Sequence, residues 1–172
     1  MMKEFVINFV GLKEGKHDYS FNIDEKFFES LDYSIIEKGE VKLDLLLEKK
    51  PGVLLLNFNF KGYIDAICDR CGDSFQQAVD GTDHLTIKLN AAEHETESED
   101  VVLLNPQDNQ IDIRHYIYEA ITLSLPLKMV HPDDKEGNST CNKEAIKALE
   151  KLAPQENKDI DPRWDKLKSF SN

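Results

Sequence analysis

Between residues 41 and 47 apolar and polar side chains alternate, with Val41, Leu43, Leu45 and Leu47 on one face of an extended chain, the period of two expected of a half-buried strand. Pro51-Gly52 follows, and this pair suits a tight turn because proline presets φ and glycine accepts positive φ. A hairpin is therefore predicted. Its returning strand carries Leu56, Phe58, Phe60, Ile64, Ala66 and Cys68 on one side, with Gly62 as a candidate bulge. Upstream, Phe5 to Val10 and Tyr19 to Ile23 read as strands flanking a Gly-Leu-Lys-Glu-Gly turn, and residues 24 to 31 as a short helix. Downstream, two shorter strands are expected near Ser74 to Val79 and Leu85 to Leu89. Sequential strands tend to be neighbours, so these segments predict a mainly antiparallel sheet.

The period then changes. Ile113, Tyr116, Ile117, Ala120, Ile121 and Ser124 recur at helical spacing. Asp112 is placed to cap that helix and Pro126 to end it. A stripe of this kind must be buried somewhere, and packing across the sheet is the expected use, with a binding groove as the alternative. A second helix from Lys143 to Leu152 sets Ile146, Leu149 and Leu152 on one side before Pro154. Residues 157 to 160 then read as a polar linker, and Asp161-Pro162 as the start of a short terminal helix bearing Trp164, Leu167 and Phe170. The expected class is α+β: one domain over residues 1 to 153 with a sheet in its N-terminal half covered by a helix, then a linker and helix over 154 to 172. The three apolar side chains of the tail either pack on the domain's own core or anchor a partner.

Composition narrows the functional classes. The chain has 172 residues, room for one ordinary core, and its longest apolar runs fall well short of the ~20 residues of a membrane-spanning helix. The first ten residues are interrupted by Glu4 and Asn8 and lack the apolar core of a secretory signal, so a cytoplasmic location is expected. The net charge of −12 disfavours binding to naked nucleic acid, whose affinity comes from Lys and Arg displacing phosphate counterions, and favours a basic protein partner. Basic residues gather only weakly, at Lys42, at Lys49-Lys50, and at Arg163 with Lys166 and Lys168. Glu93, Glu95, Glu97, Glu99 and Asp100 form a self-repelling cluster that reads as a solvated loop rather than a Mg²⁺ or acid-base site.

The sharpest chemical signal is Cys68-Asp69-Arg70-Cys71-Gly72 between two predicted strands. Thiols two residues apart around a turn can share one tetrahedral metal ion. Two thiols fill half of a zinc shell, and His131 and Cys141 are the remaining candidates. The alternative is a reduced thiol pair that simply packs. A thioredoxin-like use of C-x-x-C needs a helix N-terminus to depress the first thiol's pKa. Residues 74 to 79 read instead as a strand, which lowers the case for a thiol oxidoreductase or redox sensor. No P-loop, dinucleotide glycine motif, H-E-x-x-H or nucleophile elbow occurs, so no enzyme is expected.

Taken in order, Cys68-Asp69-Arg70-Cys71, the acidic loop, Ile111-Asp112-Ile113, Leu123-Ser124-Leu125-Pro126-Leu127-Lys128 and Asp161-Pro162-Arg163-Trp164-Asp165-Lys166-Leu167-Lys168 resemble the YceD family over residues 40 to 170. That resemblance implies a non-enzymatic role in accumulation or processing of large-subunit ribosomal RNA. The implied partner is a large-subunit ribosomal protein or a precursor ribosomal RNA-protein particle. Of the family's residues only Cys68 and Cys71 carry over. Many relatives place a further cysteine cluster, resembling a zinc ribbon, between the L-P helix and the D-P segment, where this chain has His131 and Cys141.

Overall fold

A computed structural model of the chain describes residues 3–89, 101–105 and 107–152. A 3-10 turn at Lys3–Phe5 leads into β1 (Val6–Ile7), and β2 (Gly15–Ile23) precedes α1 (Glu25–Glu29). The long strands β3 (Gly39–Lys50), β4 (Val53–Ile67) and β5 (Ser74–Leu89) follow, then β6 (Val101–Leu104), β7 (Ile111–Asp112), α2 (Arg114–Ser124) and α3 (Lys143–Leu152).

The predicted hairpin forms as expected. β3 and β4 pair antiparallel from Gly39↔Ile64 to Lys50↔Val53, and Gly52 turns the chain with φ of +76°. Five strands lie in the order β2-β3-β4-β5-β6. The first four are antiparallel neighbours, but Val101 returns beside Thr86 and β6 runs parallel to β5. The sheet is therefore mainly antiparallel, as expected, but mixed rather than purely so. Adjacency in sequence predicts which strands are neighbours, not their direction, and the eleven residues from 90 to 100 approach the dozen or so a parallel crossover needs.

Three further expectations change. Gly62 is not a bulge, since its register with Val41 and Val79 is unbroken; glycine is needed because a Cβ there would strike the carbonyl oxygen of Glu40. The two short strands at 74 to 79 and 85 to 89 are one, because Asp80, Thr82 and His84 point outward while Val79, Leu85 and Ile87 stay in. Phe5, Ile7 and Phe9 are all buried, yet only Val6–Ile7 is a strand, and it pairs with β7 rather than with the segment at 19 to 23. Alternation there records burial, not strand pairing.

The inner face of the sheet is the core. Leu43, Leu45, Leu47, Leu54, Leu56, Phe58, Phe60 and Ile87 are at most 2 % exposed; burying a side chain of this size contributes about 1.5–3 kcal/mol. α2 crosses β5 and β4 and buries Ile117, Tyr118, Ala120 and Ile121, as its stripe predicts. Its N-cap position is Ile113 rather than Asp112, although the Asp112 carboxylate still accepts from the Arg114 backbone N–H at 3.0 Å. Leu125 is extended before Pro126, the conformation a following proline imposes. α3 buries none of its residues among those described. The acidic loop at 93 to 100 and the terminal segment lie outside the described residues. No described helix is long and apolar enough to cross a membrane.

Candidate metal centre

Cys68 is the last inward-facing residue of the β4 pattern, and at 2 % exposure its sulfur faces the interior. The chain then turns through Asp69 to Asp73, closed by the Gly72 N–H donating to the Cys68 carbonyl at 2.9 Å and the Cys68 N–H to the Asp73 carbonyl at 2.9 Å. Gly72 adopts φ of +79°, which a side chain would resist. This turn brings Cys71 round to the same side as Cys68.

Residues 129 to 142 meet the turn as a small hairpin of their own. The Asp69 backbone N–H donates to the Met129 carbonyl at 2.8 Å, and the Asp69 carboxylate accepts the Met129 N–H at 2.6 Å. This two-way clasp delivers His131, whose ring lies against that of Phe75 at 4.8 Å between centroids, tilted by 33°. A bridge between Asp133 and Ser139 folds the strap back, around a turn in which Asp134 accepts the N–H groups of Glu136 and Asn138. Arg70 donates to Ser139 Oγ at 3.2 Å. Asn142 donates to Asp73 at 3.1 Å while also capping the first turn of α3.

The result brings all four predicted residues together. One ligand atom from each of Cys68, Cys71, His131 and Cys141 lies within 4.8 Å of the others. Cys68 Sγ is 3.8 Å from Cys141 Sγ, and His131 Nδ1 is 3.4 Å from Cys71 Sγ and 3.9 Å from Cys141 Sγ. Tetrahedral zinc with Zn–S bonds of about 2.3 Å sets sulfurs about 3.8 Å apart, so the spacing is that of a metal shell. The three cysteines are free thiols, not disulfides.

Electrostatics point the same way. Burial is the strongest single influence on Cys68 and opposes its ionisation, but hydrogen bonds to its sulfur from the backbone of His131, Cys71 and Arg70 and from the His131 ring outweigh it and bring the pKa down to about 5. At Cys71, backbone hydrogen bonds from Asn142 and Asp73 favour the thiolate, yet burial and the adjoining thiols of Cys68 and Cys141 raise its pKa overall. One thiolate thus forms readily and resists a second beside it. A divalent cation removes that conflict, since each thiolate then faces positive charge. The donor set and its spacing fit a metal such as zinc.

Sequence reasoning missed the groups that hold the strap: Asp69, Asp73, Ser139 and Asn142. The flanking Asp69 and Asp73 of the Cys-Asp-Arg-Cys-Gly-Asp run are the signal that could have found them, because aspartates beside a turn commonly bind nearby backbone N–H groups. Trp164, Leu167 and Phe170 lie outside the described residues.

Comparison with family models matches residues 56–171, more than half of the chain, to the family described as Large ribosomal RNA subunit accumulation protein YceD. No match is found among curated proteins or among solved structures.

Proposed function

The chain belongs to the YceD family, and from that membership we propose that it is a non-enzymatic cytoplasmic factor in large ribosomal subunit biogenesis, supporting accumulation or processing of large-subunit ribosomal RNA. The family match across residues 56–171 is the observation that carries this reading. The net charge of −12 supports a basic partner, a large-subunit ribosomal protein or a precursor ribosomal RNA-protein particle, over naked RNA. Zinc held by Cys68, Cys71, His131 and Cys141 would have a closed shell of four protein ligands, the form of structural rather than catalytic sites, with no position left for water or substrate. Its work would be to fasten the 129 to 142 strap to the sheet. Depletion in a strain with no second copy, followed by sucrose gradients, tests the role. Large-subunit ribosomal RNA is expected to fall or its precursors to accumulate, and unchanged profiles would refute it.

A second reading, a thiol oxidoreductase or redox sensor, draws on the lowered pKa of Cys68. Against it, Cys68 is 2 % exposed, and its turn joins β4 to β5 instead of opening a helix. Turnover of a disulfide substrate, abolished by Cys68→Ser, would establish this second reading.

A further inference from the structure

Beside the cysteine cluster, β4 outlasts its neighbour. β3 ends at Gly39 opposite Ile64, while β4 continues to Ile67 paired on its other side with β5. The loop before β3 takes the vacant place, the Asp65 N–H donating to the Lys38 carbonyl at 2.9 Å. The space left there is a groove of about 540 Å³ with largely apolar walls: Ile35, Ile64, Ala66, Ile67, Leu125 and Met129. Ile35 is 79 % and Ile67 61 % exposed, so two large aliphatic side chains stand in water across a concave surface, an arrangement that marks a site of contact. The rim is acidic, with Glu37, Asp65 and Asp69. Lys38, the one basic residue among its lining, is engaged by Glu25 at 3.1 Å.

We propose that residues 161 to 170 of this same chain dock in this groove, Trp164, Leu167 and Phe170 covering Ile35 and Ile67 while Arg163, Lys166 and Lys168 face the acidic rim. Charge complementarity is one argument: in an acidic chain, residues 163 to 168 carry three basic side chains and one acidic. Chain length is the other. Asn142, at the start of α3, holds Asp73, next to Ser74 in the groove wall. The ten residues of α3 then advance only about 15 Å. The twelve steps from Leu152 to Trp164 span up to about 40 Å when extended, so the segment reaches the groove with slack. The inference is independent of the ribosomal reading.

Trp164 is the only tryptophan, so its fluorescence in the full chain reports the docking directly. Its emission is expected to be blue-shifted and shielded from acrylamide relative to a free peptide of residues 157 to 172. Ile67→Asp and Ile35→Asp, changes at exposed side chains, should each return it to the peptide's values, as should the tail double variant Arg163→Glu with Lys166→Glu, which leaves the folded domain untouched. Leu149→Asp, on the exposed apolar side of α3, should leave the shielding intact. A tryptophan as accessible in the full chain as in the peptide would overturn the proposal. So would shielding that survives both groove variants, loss confined to Leu149→Asp, or protection that arises only when ribosomal particles are added.

Discussion

Against the opposing effect of burial, backbone N–H dipoles and the His131 ring facing the Cys68 sulfur hold its pKa down to about 5, so the thiolate a cation would take is readily formed. If zinc completes the cluster, the purified protein should contain it stoichiometrically. Cys141→Ser should then lose metal to a chelator that leaves the parent loaded, and lower stability by several kcal/mol, because metal-binding free energy is folding free energy in such sites; elemental analysis with thermal unfolding checks both. Arg114 makes a second residue-scale case. It grips the Asp112 carboxylate from Nε and Nη2 and reaches Ser30 Oγ at 3.3 Å from Nη1. Burial pushes the Asp112 pKa up, but the hydrogen bonds and charge of Arg114 outweigh it and the net shift is downward from 3.8. The pair's contribution is complete above that ordinary value and disappears as pH falls through the lower folded value. Arg114→Ala should cost about 1–2 kcal/mol at neutral pH, allowing for partial exposure, and should remove that part of the acid-limb slope in urea unfolding across pH. The C-x-x-C half of the cluster was legible because a turn places neighbours in sequence together. His131 and Cys141 were named from sequence as the remaining donors, but the clasp that brings them in, the Asp69 N–H on the Met129 carbonyl and the Asp69 carboxylate on the Met129 N–H, is not revealed by spacing.

The two long helices were equally legible from their periods but differ in what they bury. α2 sinks Ile117 and Ile121 to 1 % and 0 % exposure, whereas on α3 Leu149 is 49 % and Leu152 81 % exposed. Periodicity predicts that a face is apolar; it does not say what covers it. Ile121→Ala should cost about 2–5 kcal/mol, the range for emptying a packed core site, while Leu149→Ala should change stability by less than about 1 kcal/mol; denaturant titration compares them. Strands show the same division. β3 and β4 followed from alternation around a well-marked turn, but the continuity of β5 was hidden by Asp80-Gly81. There glycine is needed because a Cβ would lie 2.9 Å from the Phe60 ring.

In the whole molecule, the contacts that finish the fold join distant parts of the chain. Val6 pairs with Asp112, Tyr118 Oη receives the Ile35 N–H at 3.0 Å, and Cys68 meets Cys141. The antiparallel strands β2 to β5 could be ordered from sequence because their pairings are local. The parallel β6 and the β1–β7 pair could not, since long-range pairing leaves no periodic mark. If a metal fastens the cluster, its removal with a strong chelator is expected to release residues 129 to 152 and spare the sheet, seen as fast amide exchange confined to the strap and α3. The same separation has a consequence in time. A chain made from its N-terminus exposes Cys68 and Cys71 some seventy residues before Cys141 exists, and domains begin folding as they emerge. The β2 to β5 meander can therefore settle while half of the thiol cluster waits, open to oxidation, for its last two ligands.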